Sequence, residues 1–207
     1  QWLPRLADGR DIPWQYVSGH RAMQRPPHRP RIMGQGTFIA NVIRIAARVQ
    51  VPAQGLTTLS VEPSRPFDRH LGSLVTAHQT VTNDHVIVAV NPNGSLLITH
   101  RATGKVYDQA LTFEDRADIG DGWFHGVAVN DRCATSAASA ADVQVIADGP
   151  ELATLRIALA LNLPAEFDFT TMRPVTRTEA LKIVVEVTVR RDSPRIECAI
   201  QVDNTVK

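Results

Sequence analysis

The sequence predicts an all-β chain, an antiparallel β-sandwich preceded by a small β-domain, and three observations predict it. Apolar residues recur with period two in one run after another. Turn residues stand between the runs, and helical patterning is scarce. Alternation over five to eight residues places one set of side chains on a core face and the other toward water or a neighbouring domain. Regularly spaced strands with turns between them read as a sandwich or barrel rather than a parallel sheet with crossover helices.

Taken in order, Asp8-Gly9 marks an early turn. Ile43, Ile45, Ala47, Val49 and Val51 then alternate with Arg44, Ala46, Arg48 and Gln50, and the apolar set is expected to face a core. Asn93-Gly94 lies between Val86-Ile87-Val88-Ala89-Val90 and Leu96-Leu97-Ile98, and Asn-Gly between apolar runs is the strongest short hairpin signal. Ala134 to Asp142 is rich in Ala and Ser and reads as a loop before a strand starting at Val143. Leu155, Ile157, Leu159, Leu161 and Leu163 alternate with Arg156, Ala158, Ala160 and Asn162. Ile183, Val185, Val187 and Val189 alternate with polar residues, interrupted only by Val184. Ile196, Cys198, Ile200 and Val202 form a last set, joined to the previous one through Arg191-Asp192-Ser193-Pro194 as a long hairpin.

Glu62-Pro63-Ser64-Arg65-Pro66 closes the first block of strands with two prolines. The expected organisation is a small β-domain over 1–66, a connector over 67–77, and a large sandwich over 78–207 that is truncated at its C-terminus. Arg21 to Arg31 holds four Arg, three Pro and one His, and reads as a polyproline-II loop crossing a domain surface in preference to a basic recognition arm.

Composition narrows the function classes. Across 207 residues, 43% are apolar and 21% charged, ordinary for a globular protein. A formal charge of +1, from 22 basic and 21 acidic side chains, argues against nucleic acid or an anionic membrane surface as main partner. No run of 18 apolar residues exists, so no helical membrane span is expected. The opening Gln1-Trp2-Leu3-Pro4 has neither an initiator Met nor a signal pattern, and the chain is expected to start within a longer protein. Cys133 and Cys198 do not make a disulfide framework. They read as reduced thiols, Cys198 as a small buried hydrophobe, in a cytoplasmic protein.

Seven His at 20, 28, 70, 78, 85, 100 and 125 form no ligand-type spacing, so no metal site is expected from this chain. Asp84-His85 are neighbours whose side chains point to opposite faces of a strand. No nucleophile elbow, phosphate loop or dinucleotide fingerprint occurs, and Gly34-Gln35-Gly36 reads as turn glycines. None of these motifs places a catalytic residue in the chain.

The segment Phe113 to His125 is different, with four carboxylates in eight residues followed by Gly122, Trp123 and Phe124. Carboxylates accept hydrogen bonds from hydroxyls, and an aromatic face stacks on the apolar face of a sugar ring. The residue types alone allow a solvated turn or loose Ca²⁺ site, a sugar-binding loop, or paired-carboxylate glycosidase chemistry, in that order. A structural loop would bury Trp123 and tie Asp118 and Asp121 to backbone N–H groups. A pocket rim would leave Trp123 exposed.

Val81-Thr82-Asn83-Asp84-His85 and the residues to Leu96 resemble the strand-turn-strand opening the large C-terminal sandwich of glycoside hydrolase family 38 α-mannosidases. Thr103-Gly104-Lys105-Val106-Tyr107 resembles the turn and strand after it. Phe113-Glu114-Asp115, followed by Asp118-Ile119-Gly120-Asp121-Gly122-Trp123, resembles the family's acidic Asp-x-Gly-Asp-x-aromatic loop. Val202-Asp203-Asn204 is similar to a later strand end, while Asp8-Gly9-Arg10 and Val51-Pro52-Ala53-Gln54-Gly55 resemble the small β-domain that follows the catalytic region. The resemblance implies part of a mutarotase-like super-sandwich. It further implies a parent enzyme that cleaves α-mannosidic bonds with retention, using an Asp nucleophile and a zinc ion, both held by a barrel and bundle that nothing here matches. The partners implied are that catalytic barrel and the mannoside. For these residues the resemblance implies scaffold, with Asp118, Asp121, Trp123 and Phe124 as candidate pocket edge. A stand-alone carbohydrate-binding or interaction module is the alternative. The open edge of the 182–203 hairpin is expected to be covered by a second copy of the chain.

Overall fold

A computed structural model describes residues 2–24, 38–63 and 71–204. Most of the basic stretch 21–31, all of Gly34-Gln35-Gly36 and residues 64–70 of the expected boundary lie outside the described residues. The chain divides into two compact units, one of 1–72 with 149–151, the other of 73–148 with 152–207.

The first unit holds two antiparallel ribbons. Strand β1 (Trp2–Leu6) pairs with β4 (Leu59–Pro63), and β2 (Trp14–Gln24) pairs with β3 (Phe38–Ala47). Asp8-Gly9 makes the expected turn, with Gly9 N–H donating to Leu6 O at 2.8 Å and Gly9 at φ +83°, where a side chain would be strained. The burial expected for β3 does not occur. Tyr16, Met23, Ile39, Ile43 and Ile45 share one face of the β2–β3 ribbon and are exposed, Ile43 by 55%. Val49 and Val51 lie beyond the end of the strand. A two-stranded ribbon has two faces, and no second layer covers this one among the described residues of the unit. Ile12 is its one fully buried aliphatic among the described side chains. Gln15 is buried with it, and its Oε1 accepts the Glu151 N–H at 3.0 Å.

The second unit is a sandwich of antiparallel sheets. Strands β5 (Val75–Ala77), β6 (Thr80–Thr82), β7 (Val86–Val90), β8 (Leu96–His100) and β9 (Lys105–Ala110) form a five-stranded meander in that order. The last residues of the expected connector are thus strand β5. A short ribbon of β10 (Glu114–Asp115) and β11 (Ala134–Thr135) follows, then a single 3₁₀ turn over Ser136–Ala138. Strand β12 (Ala141–Ala147), which begins two residues before Val143, and β13 (Leu152–Pro164) lead to a ribbon of β14 (Phe167–Asp168) and β15 (Arg173–Pro174). The long strands β16 (Thr178–Arg190) and β17 (Ile196–Asp203) close the chain as the expected hairpin, and the four-stranded sheet runs β12-β13-β16-β17.

One buried cluster joins the two large sheets. Val81, Val86, Val88, Val90 and Leu96 of the first meet Leu155, Ile157, Leu159, Leu161, Leu163, Ile183, Val185, Val187 and Val189 of the second. These are the apolar members of the alternating sets, and the register pairs Leu155 with Val187 and Ile157 with Val185 on one face. Full burial of each such side chain contributes roughly 1.5–3 kcal/mol relative to exposure. Gly94 closes the β7–β8 turn at φ +85°, and a Cβ there would come within 2.8 Å of the Leu159 side chain, so both conformation and space require glycine.

A polar clamp supplements the core. Asn83 is buried; its Oδ1 accepts the N–H groups of His85 and Val86 at 2.8 and 2.7 Å, while Nδ2 donates to Arg190 O and Ser193 O at 2.6 and 2.8 Å. One amide thus satisfies the turn before β7 and ties it to the turn after β16.

Burial stops at β17. Ile200 and Val202 pair with Val185 and Ile183, share their face, and are nevertheless exposed. Cys198, expected to be buried, is exposed as well, as is Cys133, and both are free thiols. The alternation of β17 fixes which side chains share the core face, but among the described residues no opposing layer extends over this strand.

Candidate functional site

The acidic segment forms a miniature hairpin. Asp118 and Val127 make a β-bridge, the Ile119 N–H donates to Gly126 O at 3.0 Å, and the Asp121 N–H donates to Phe124 O at 3.2 Å. Gly122 and Trp123 form the tip.

Asp118 and Asp121 each have a defined task. Asp121 Oδ1 accepts the N–H groups of Trp123 and Phe124 at 2.8 and 2.9 Å, capping the turn it opens. Asp118 Oδ1 accepts those of Gly120 and Gly126 at 2.9 and 2.8 Å, closing the stem across both arms. Asp118 Oδ2 lies 3.2 Å from His125 Nδ1. The two N–H donors, first Gly126 and then Gly120, hold the Asp118 carboxyl down to about 2, and His125 adds to the effect. Below the hairpin, Asp131 Oδ1 accepts the N–H groups of Ala117 and Arg132 at 3.2 and 2.7 Å. Partial burial, with Asp131 as a like-charged neighbour, raises the pKa of Asp115.

The glycines of the stem are sterically required. A Cβ at Gly120 would collide with the Phe124 carbonyl and the Gly126 N, and one at Gly126 would collide with the Gly120 backbone. The two arms touch backbone to backbone, which makes the hairpin narrow.

The result holds the aromatic pair away from its own domain. Trp123 is 89% exposed and Phe124 76%, with Val127 and Val129 also in solvent. The two expectations for this loop thus divide between its residues. Asp118 and Asp121 are tied to backbone N–H groups, as a structural turn requires, whereas Trp123 is in solvent, as a rim requires. All four candidates, Asp118, Asp121, Trp123 and Phe124, belong to one hairpin.

Sequence reasoning did not single out three neighbours. His125 is the side-chain hydrogen-bond partner of Asp118, and Gly126 is the counterpart of Gly120. The β14–β15 ribbon carries Phe167 and Phe169 edge to face at 5.2 Å, with Phe169 exposed, and Asn130 Nδ2 reaches Met172 O there at 3.5 Å. The Phe-x-Phe spacing of 167 and 169 and the Asp-x-Thr turn at 168–170 are the signals that could have found it.

Chemically, the hairpin offers a broad indole face beside carboxylates oriented by backbone N–H groups. Two of the roughly four acceptor positions on a carboxylate are used in Asp121, leaving capacity for hydroxyl donors. Among the described residues, no group of three or more His, Cys, Asp or Glu could hold a metal ion. No step through the zinc implied by the family resemblance is assigned to this chain.

No family model and no curated protein matches the sequence. Solved structures do match. One is a protein of glycosyl hydrolase family 38 from Enterococcus faecalis, with a TM-score of 0.80 and 16% identity, covering 100% of this chain and 26% of its own. Another is an alpha-mannosidase from Enterococcus faecalis V583, with a TM-score of 0.82 and 17% identity, covering 100% of this chain and 25% of its own. The chain spans about a quarter of the length of these proteins and has the fold of that quarter.

Proposed function

We propose that this chain is a non-catalytic β portion of a retaining α-mannosidase and that its 118–127 hairpin lines the edge of the sugar pocket. The observation that carries the reading is Trp123, a large apolar side chain left 89% exposed on a stem locked by two carboxylates and two glycines. A solvated turn has no use for an indole at its tip, because exposing it forfeits the burial that normally stabilises it. A sugar ring placed against the indole would regain that burial, and Asp121 would accept its hydroxyls. The likeness in fold to a quarter of an alpha-mannosidase from Enterococcus faecalis V583 supports the choice of substrate class. The nucleophile, the general acid and the zinc ion would belong to a barrel elsewhere in the parent, the partner this chain is proposed to serve.

The test has two arms. The purified chain, with and without Zn²⁺, should not hydrolyse an aryl α-mannoside above a buffer blank. In the parent enzyme, Trp123→Ala should lower kcat/KM for mannosides while leaving thermal unfolding unchanged. Turnover by the chain alone would refute the non-catalytic role, and an unaltered kcat/KM would refute the rim. A stand-alone carbohydrate-binding module would instead bind mannosides as the isolated chain, read as a tryptophan fluorescence change that Trp123→Phe abolishes.

A further inference from the structure

We propose that His125 is a further sugar-contacting residue of the hairpin: Asp118 fixes its ring in the tautomer protonated at Nδ1, and Nε2 accepts a hydrogen bond from a hydroxyl of the sugar against Trp123. The inference rests on the rim reading above and adds to it a residue, a tautomer and the polarity of the contact.

The Asp118 carboxyl is the starting point. Its Oδ1 accepts the N–H groups of Gly120 and Gly126 at 2.9 and 2.8 Å, one from each arm of the stem. Its Oδ2 faces the His125 ring, with Nδ1 at 3.2 Å. Three nitrogen donors thus converge on one carboxyl and favour its ionised form. An ionised carboxylate has no proton to give, so the ring supplies the proton in this bond. In a neutral imidazole, a proton on Nδ1 leaves the lone pair on Nε2. Carboxylates set the tautomer and direction of a histidine in the same way behind metal ligands and in serine hydrolases.

The backbone places this pair beside the tip. Gly120 and Gly126 touch across the stem, so Asp118 on one arm and His125 on the other are held together. His125 stands two residues from Trp123 and four from Asp121 in the chain. In the rim reading Asp121 accepts hydroxyls beside the indole, and Nε2 is a second acceptor next to it. A sugar hydroxyl has one O–H to donate and suits such an acceptor.

A mere brace would need Nδ1 alone. Asparagine would serve as well in that role, because its Nδ2 stands near the place of a histidine Nδ1 and also donates. What asparagine lacks is anything in the place of Nε2, and that difference separates the two roles.

Two measurements test the proposal, one on the chain and one on the parent enzyme. In the nitrogen-15-labelled chain, with the ring neutral, long-range proton–nitrogen spectra should show His125 protonated at Nδ1, the tautomer that free histidine disfavours in water. Asp118→Asn keeps an acceptor for Gly120 and Gly126 but turns an N–H toward the ring, so it should move the proton to Nε2. A ring protonated at Nε2 in the unaltered chain would overturn the proposal. In the parent, His125→Asn should lower kcat/KM for an aryl α-mannoside about threefold to tenfold, the range of one neutral hydrogen bond, with thermal unfolding unchanged. His125→Gln, whose amide reaches the place of Nε2, should recover part of that loss. The penalty of His125→Asn should vanish with the one monodeoxy mannoside that lacks the donated hydroxyl. If it stays the same for every monodeoxy mannoside, no hydroxyl is held by Nε2 and the contact is refuted. If Trp123→Ala lowers kcat/KM and His125→Asn does not, the rim stands and His125 is only a brace. If neither variant lowers it, the rim reading fails and this inference with it.

Discussion

Strands β13 and β16 of the sandwich and strands β2 and β3 of the first unit carry the same kind of alternation, yet their apolar faces have opposite fates. Ile157 is fully buried, while Ile43 is 55% exposed. Both residues sit in paired antiparallel strands, β13–β16 in unbroken register and β2–β3 with one register shift between Tyr16 and Ser18. What separates them is a second sheet: β6, β7 and β8 contribute to the cluster that covers Ile157, and among the described residues the β2–β3 ribbon has no such layer. Period-two patterning thus specifies which side chains share a face and leaves open whether that face becomes a core.

The largest effect that can break this comparison is a pair of truncations. Ile157→Ala should destabilise the sandwich by about 2–5 kcal/mol, through lost transfer energy and a residual cavity. Ile43→Ala should change stability by no more than about 0.5 kcal/mol, as at other exposed positions. Denaturant melts of the two variants measure both. A large loss at Ile43 would show that its face is covered in solution, for instance by a partner.

Next in size is a buried amide of the sandwich. Asn83 makes four hydrogen bonds between its turns. Asn83→Ala would strand two backbone carbonyls and two N–H groups and should cost about 2–4 kcal/mol. Asn83→Asp keeps the acceptor but turns a donor toward two carbonyls into a repulsive oxygen, so it should also destabilise the fold. An Asp variant as stable as the parent would mean that the two carbonyls do not depend on the amide.

The same comparison explains what was legible in the sequence. Alternation identified β13, β16 and β17, Asn-Gly located the β7–β8 turn, and Arg191 to Pro194 located the last hairpin, because those signals are local. The exposure of Cys198, Ile200 and Val202 was not legible, since it depends on how far an opposing sheet extends. At the acidic loop, the turn-capping roles of Asp118 and Asp121 follow from Asp two residues before the N–H it accepts. The outward direction of Trp123 does not follow from the local sequence; it depends on the backbone contact of Gly120 with Gly126, residues far apart enough that only the folded stem joins them.

A smaller effect concerns pH. Asp118 titrates at about 2 in the folded hairpin against an ordinary 3.8, so its ionised form is favoured by folding. A carboxyl with a lowered pKa stabilises the fold above its unfolded value and loses that contribution as pH falls. The hairpin should therefore loosen as pH drops from near 3.8 toward 2, with the N–H groups of Gly120 and Gly126 becoming the faster-exchanging amides. Asp118→Asn should remove that dependence. Exchange of these amides that is indifferent to pH over this window, after correction for intrinsic rates, would show that the carboxylate does not hold the stem.

The smallest expected change in stability is at Trp123, and it bears most directly on function. Were Trp123 packed like Ile157, truncation to Ala would cost about 3–5 kcal/mol. Exposed as it is, Trp123→Ala should shift stability by less than about 0.5 kcal/mol, because few contacts are lost and Asp121 still caps the turn through backbone donors. In the proposed parent enzyme the same change should lower kcat/KM for a mannoside by about threefold to tenfold, the range of one aromatic stacking contact. Trp123→Phe should retain part of that, since a smaller ring still offers an apolar face. Asp121→Asn should keep the acceptor on the turn and lose less than Trp123→Ala, which separates the stacking contribution from the hydrogen-bonding one. If Trp123→Ala lowers stability and activity together, the indole is part of the packed scaffold. If activity alone falls, the exposed tip has the recognition role that its conspicuous lack of cover suggests.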